Sequence, residues 1–589
     1  MKIHSRSAWH VGAIAAAVTI ITGITAGASR PTHAAQPQPS AQLVLVHGKI
    51  ITVDAADSVA QAIAVRDGKI LKVGSDAEIL ALVDPHTEVI DLKGCAATPG
   101  LIDTHAHIAS GGLSELYEVP LGDAMSVAEV RARVKAAVAL LKPGQWVQGS
   151  GWDEGKLDER RYLTASDLDA VAPKNPVWLE HTTGHYGVAN GYALRLAHVD
   201  AQTPDPKAGT IDKDAHGDPS GVMKEAAQEL VTALIPPPTA EQRRKGIEHI
   251  LEVMHREGMT AVKDPDIDKD TWDAYRAVLD EGRLDAHICV LWHGGSTLAT
   301  VQAALTLFQA APRLPQSLGD GRLQSCGVKI FMDGSGGART AWLYKDWNKN
   351  SSGVDAGNVG YPTTDPQVYR RQVALLNRAG VPIGTHAIGD RAIDWVVDTY
   401  AQVLKEQPTH GLRHAIIHAN VPTDHAIETM AMLQKQYDAG YPELQAPFLW
   451  WIGDTYAANF GPTRSARLIP LNTYLAHGVI WGAGSDYFVT PLPARYGLWS
   501  SLVRETLKSS YGAHPFGTAE AVDIHTALRS YTAWAARQLF LDQRIGSLEA
   551  GKDADIAVWD QDPYTIAPAQ LKDLHCQLTV FQGRIVFRQ

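Results

Sequence analysis

The chain has 589 residues, 45% of them hydrophobic and 20% charged, with a formal net charge of −11. This is an ordinary globular composition, long enough for more than one domain. The negative balance gives no electrostatic support to binding nucleic acid or an anionic membrane, so the expected partner is a small-molecule substrate.

At the N-terminus Lys2, His4 and Arg6 precede an apolar stretch from Val11 to about Ala28, and "PTHAAQ" offers cleavage after Ala34 or Ala35. This is the layout of a secretory signal peptide over residues 1–35. It predicts a periplasmic or secreted protein with no membrane segment once the leader is removed. "QPQPS" would then be a flexible leader of the mature chain.

Residues 41–96 read as short β-branched runs, "LVLVHGKIITV", "AIAVRDGKILKVG" and "EVIDLKG", broken by His-Gly, Asp-Gly and Lys-Gly. Such punctuation is typical of hairpins. Residues 546–589 have the same texture, in "IGSLEAGKDADIAVWD" and "LTVFQGRIVF". The two pieces predict one composite β-sandwich built from both chain ends.

Residues 97–545 alternate apolar strand-like runs with helical segments. The first run is "PGLIDTHAH", and seven more follow: "GMTAVKD", "LDAHICVLWH", "VKIFMDG", "VPIGTHAIGD", "LRHAIIHAN", "ELQAPF" and "VIWGAGSDYF". Continuous apolar strands between helices imply a parallel sheet buried on both faces, and eight such units predict an α/β fold, a (β/α)8 TIM barrel. Residues 113–240 break the alternation and are read as an insertion folding over the barrel mouth. The four cysteines, Cys95, Cys289, Cys326 and Cys576, are widely spaced in or beside apolar runs, which favours buried free thiols over disulfides.

Five of the predicted strands carry groups able to bind metal near their C-terminal ends: His105 and His107, Lys329, His386, His418, and Asp486. Barrel active sites lie at that end. Residues two apart on a strand face the same side, so His105 and His107 both point inward. Each residue also has an ordinary alternative. A single His can be a hydrogen-bonded core residue, and Asp486 can cap a turn. Lys329 sits among Val328, Ile330 and Phe331, where an ammonium is costly to bury. It could pair with Asp333, carry a lowered pKa, or be a carbamate formed with CO2 that bridges two divalent metals.

"PGLIDTHAHI", the isolated histidines, "GAGSD" and "IGSLEAGKDADIAVWD" resemble the amidohydrolase superfamily. "GWDEG", "TTGHYGVAN", "VKIFMDGSGGARTAWL" and "THAIGDRAID" resemble its YtcJ-like group, which includes N-substituted formamide deformylase. The resemblance covers roughly residues 42–589. It implies that His105, His107 and Asp486 hold one metal, that His386 and His418 hold a second, and that carboxylated Lys329 bridges them. A one-metal site is the alternative. Zn2+ suits these ligands, with Mn2+ or Fe2+ possible. The chemistry implied is attack of metal-activated hydroxide on the carbonyl of an N-substituted amide or formamide, with Asp486 moving the proton. A cyclic amide, carbamate or lactone on the same site is the alternative substrate, and a non-catalytic binding protein is the competing class.

His185 is a candidate oxyanion or substrate ligand, or else a structural residue. Trp152, Asp153 and Glu225 are placed at the mouth, Arg339 is a candidate for a substrate carboxylate, and Trp450 and Tyr487 for an apolar substrate pocket. A homodimer is compatible with the sequence.

Overall fold

The computed structural model describes residues 40–312, 317–348 and 357–589; the signal-peptide assignment, 1–35, lies outside the described residues. Eight strands pair side by side in chain order: β1 Leu101–Asp103, β2 Met259–Ile267, β3 His287–His293, β4 Leu323–Phe331, β5 Ile383–Ala387, β6 Ala415–His418, β7 Tyr441–Leu444 and β8 Gly482–Ala483. All seven ladders are parallel. Nearly every strand residue is buried, as expected for a sheet with helices outside and packed side chains inside. The seam between β1 and β8 closes through Thr104, whose N–H and hydroxyl both donate to the Ala483 carbonyl at 3.0 and 3.1 Å. Asp103 adds to it, accepting from the backbone N–H and hydroxyl of Ser485 at 2.9 and 2.6 Å.

The helices follow local rules. The helix Ala240–Arg256 starts at a capping box of Thr239 and Gln242 and buries Ile247, Ile250, Leu251 and Met254, spaced to lie on one face. Pro366–Arg378 is capped by Asp365 with Pro at its first position, where the missing N–H costs nothing.

Both chain ends meet in one six-stranded sheet, in spatial order Val59–Ala60, Lys49–Ile51, Ala96–Pro99, Ile556–Trp559, Cys576–Phe581 and Arg584–Arg588. A four-stranded sheet of Leu43–Val46, Ala62–Arg66, Lys69–Gly74 and Glu88–Asp91 shares its core, where Leu45, Ile63 and Val65 cluster with Ile556, Val558 and Val580. The inserted region holds a further six-stranded sheet between Val119 and Glu225, with its own core around Trp152, Leu179, Tyr186 and Val188.

One expectation is corrected. Cys289 and Cys326 are not free thiols but form a disulfide between β3 and β4; Cys95 and Cys576 are free. The ladder shifts register between Val290 and Leu291, so that Ser325 and Gly327 face successive residues of β3 and Cys326 is the extra one. That bulge brings the two cysteines together, and nothing in their spacing announces it. The bridge closes a 37-residue separation. Reducing it, or replacing both cysteines with Ser, is expected to lower unfolding stability by about 3–4 kcal/mol. Denaturant titration with and without reductant measures this.

Candidate metal-binding and catalytic site

The site lies at the C-terminal end of the barrel. β1 stops at Asp103, earlier than a strand reaching His107 would require. The Asp103 carboxylate accepts the His105 N–H at 2.9 Å and turns the chain. His105 and His107 therefore converge through a loop rather than by strand alternation, with ring centroids 5.3 Å apart, edge to face. Asp486 follows β8 with a left-handed backbone (φ 54°), and its Oδ1 lies 3.4 Å from the Nε2 atoms of both histidines.

Lys329 on β4 is 1% exposed, and its Nζ lies 3.4 Å from His105 Nε2. The alternative bridge to Asp333 does not form. That carboxylate instead accepts the N–H groups of Trp342, Ile388 and Gly389 at 2.8 to 3.0 Å. Among the described residues Lys329 has no carboxylate within ion-pair distance, and burial holds its amine below the ordinary lysine range.

His386 on β5 and His418 on β6 complete the ring, with centroids 4.6 Å apart; His418 lies 5.3 Å from His105. Each donates one ring N–H to a neighbouring oxygen, His386 Nε2 to the Gly334 carbonyl at 3.0 Å and His418 Nδ1 to Gln445 Oε1 at 2.8 Å. The other nitrogen of each ring is then a lone-pair donor. Burial depresses the pKa of His105 and His386 well below the ordinary value, and that of His418 to about 3, so the imidazoles are neutral. Burial pushes Asp486 up, but the hydrogen bond from His107 and the groups around it, Lys329 among them, bring its carboxyl below the usual range.

The donor set fits a divalent metal. One ligand atom each from His105, His107 and Asp486 falls within a 4.8 Å span, a combination of imidazole nitrogens and a carboxylate oxygen. The buried Lys329 amine faces the same group.

Several supporting residues were not singled out from the sequence. His105 Nδ1 and Glu443 Oε2 are buried 3.7 Å apart, each without a hydrogen-bond partner, while Lys263 pairs with the other oxygen of Glu443. Glu443 and Gln445 are two residues apart, in and just after β7; Gln445 orients His418, and Glu443 faces His105. Glu443→Gln is expected to weaken metal retention about 10- to 100-fold. Metal content after dialysis against graded chelator checks it. At β2 a register shift between Asp264 and Ile267 accompanies the left-handed Asp266 (φ 65°), whose Oδ1 lies 2.7 Å from His293 Nδ1. Both residues line the cavity above the histidines.

That cavity has a volume of about 970 Å3. The inserted region contributes His185 and Glu225 to its wall, with Nδ1 of His185 3.0 Å from Glu225 Oε2. The His185 ring lies 4.9 Å from that of His386. Burial alone would lower the His185 pKa, but the Glu225 carboxylate overrides it and raises the value. Trp178, Phe331 and Phe488 are the aromatic lining.

The other expected mouth and substrate-binding residues lie elsewhere. Trp152 is buried in the core of the inserted region, where its Nε1 donates to the Leu179 carbonyl at 3.0 Å. The Asp153 carboxylate is spent on the Gly155 N–H at 2.8 Å and on the Thr455 hydroxyl. Trp450 packs between Trp451 and Tyr496, with centroids 5.1 and 4.8 Å away. Tyr487 turns its hydroxyl to Glu115 at 2.6 Å, leaving Phe488 to face the cavity. Arg339 lines a second, separate cavity. Long loops repack these side chains in ways that position along a strand does not convey.

Comparison with known proteins agrees with this geometry. The model of the amidohydrolase family matches residues 88–587. N-substituted formamide deformylase of Arthrobacter pascens is 29% identical, over 92% of this chain and 97% of its own. Protein LONG AFTER FAR-RED 3 of Arabidopsis thaliana is 30% identical, over 88% of each chain. The fold matches the crystal structure of an uncharacterized metal-dependent hydrolase from Pyrococcus horikoshii OT3 with a TM-score of 0.69, at 24% identity over 89% of this chain and 99% of that one. A family match spanning most of the chain, on a barrel whose strand ends gather four histidines, a lysine and an aspartate, places the protein in the amidohydrolase family.

Proposed function

We propose that the protein is a metal-dependent hydrolase of a non-peptide C–N bond, acting on N-substituted amides or formamides. The observation that carries this reading is the convergence of His105, His107, Lys329, His386, His418 and Asp486 on one point at the floor of a large cavity. The similarity to a deformylase of N-substituted formamides supports the substrate class. His105, His107 and Asp486 would hold one divalent metal and His386 and His418 a second, zinc by preference, with Lys329 as a carbamate between them. A bound metal supplies Lewis acidity and brings the pKa of water towards neutrality.

The chain's own groups do the rest. The hydrogen bonds of His386 to Gly334 and of His418 to Gln445 fix the tautomer and orientation of each ring. Asp486, ionised and aimed between His105 and His107, takes the proton released by the nucleophile and passes it to the leaving nitrogen. His185, raised in pKa by Glu225, offers a ring N–H to the carbonyl oxygen as negative charge grows there. Trp178, Phe331 and Phe488 exclude water and receive the apolar substituent.

The same reading joins the two terminal sheets into a composite β-sandwich. The leader-like N-terminus and the Cys289–Cys326 bridge both support an oxidising compartment, periplasmic or extracellular.

The test is a hydrolysis screen of the metal-loaded mature protein against secondary amides, formamides, cyclic amides, carbamates and lactones, followed by mass spectrometry. The expected result is amide or formamide cleavage that a chelator abolishes and Zn2+ or Mn2+ restores. Stoichiometric metal with no hydrolysis of any member would contradict the reading. Cleavage confined to lactones or carbamates would replace the substrate class.

A further inference from the structure

Arg339, in the loop after β4, does not reach the histidine cavity. It lines a second cavity of about 420 Å3 between the inserted region and the barrel helices, and the two cavities share no lining residue. The side chain is 4% exposed. Its guanidinium donates to two neutral oxygens, Asn459 Oδ1 at 3.1 Å and the Tyr162 hydroxyl at 2.8 Å. Among the described residues it has no carboxylate within ion-pair distance. Burying a charge without a counter-charge is costly, so such a group marks a place where an anion is missing.

The other charged side chains around the cavity already have hydrogen-bond or ion-pair partners. Arg161 pairs with both oxygens of Asp167 at 2.7 and 2.8 Å. Asp212 pairs with Lys224 at 2.8 Å. Glu154 accepts the Tyr186 hydroxyl at 2.7 Å and lies 3.2 Å from His181. The Asp454 carboxylate takes the backbone N–H groups of Lys508 and Ser510 at 2.8 and 2.7 Å. Among the described residues Arg160 is the second guanidinium without a carboxylate, and its side chain donates to Ser510 Oγ at 3.3 Å. One buried and one exposed guanidinium thus line the same cavity beside the rings of Tyr162 and Tyr511. Guanidinium forks match carboxylates in shape as well as charge.

We propose that this second cavity is a binding site for a small aromatic or aliphatic monocarboxylate, held by Arg339 and Arg160 and independent of the hydrolytic site. Calorimetric titration of the metal-loaded chain with benzoate tests it. The expected result is saturable 1:1 binding, weakened at least about tenfold by Arg160→Ala and abolished by Arg339→Gln, with amide turnover in Arg160→Ala close to wild type. Arg160 is exposed, so its variant remains informative if Arg339→Gln fails to fold. A crystal grown with benzoate should show the ligand against Arg339. Absence of saturable binding, equal binding by wild type and Arg160→Ala, or benzoate found only at the histidine cluster would overturn the proposal.

Discussion

Asp486→Asn is expected to lower kcat by about three orders of magnitude while metal stays bound. Asparagine keeps the shape and one ligand oxygen, and neither His105 nor His107 loses its neighbour. What disappears is a group able to accept a proton and give it up again. The carboxyl is buried yet held below its usual range, because the hydrogen bond from His107 together with the groups around it outweighs desolvation. It is therefore available as a base before the reaction and becomes an acid only after receiving the nucleophile's proton. KM should change far less than kcat, since a proton acceptor used in the transition state adds little to ground-state binding. Steady-state kinetics with metal analysis on the same sample decides the matter. Near-wild-type turnover would remove Asp486 from the proton path.

Lys329 supports the second large effect. Lys329→Ala is expected to cost about a thousandfold or more in kcat, and a short carboxylate such as acetate or propionate should restore part of it. The physical reason is the environment: an amine buried at 1% exposure, 3.4 Å from a histidine and, among the described residues, without a carboxylate partner. As a bare amine it is a burial cost. As a carbamate it is the anion that two cations would require, and an added carboxylate can occupy the space left by its truncation. Lys329→Met fills that space, so it should be equally inactive and should not respond to acetate. In metal-free protein the Met variant should be no less stable than wild type, and more stable by up to about 1–2 kcal/mol, because it removes an uncompensated buried group. Loss of activity without carboxylate rescue in the Ala variant would favour a bare amine.

Much of this arrangement was legible in the sequence, for a definable reason. Each ligand is a polar residue standing in or just after an apolar run, and a barrel turns that one-dimensional anomaly into a shared position at the strand ends. The eight runs correspond to the eight strands, and the β-rich chain ends do pair within one sheet. What was not legible depends on contacts between distant segments. Glu443 reads as one more residue of "ELQAPF"; its importance comes from facing His105 across the barrel. The Cys289–Cys326 bridge depends on a bulge in β4. Trp152 was expected at the mouth and Tyr487 in an apolar substrate pocket, yet packing turns each away. Arg339 belongs to a recognisable motif, but only the docking of the inserted region decides which cavity it faces.

The central claim is that six side chains from five strand ends hold divalent metal together. It is tested most directly by diffraction from the metal-loaded protein on both sides of the zinc absorption edge. The account requires anomalous peaks within coordination distance of His105, His107 and Asp486 and of His386 and His418, with density continuing from Lys329 Nζ between them. A metal-saturated crystal with no anomalous signal at this cluster would contradict it.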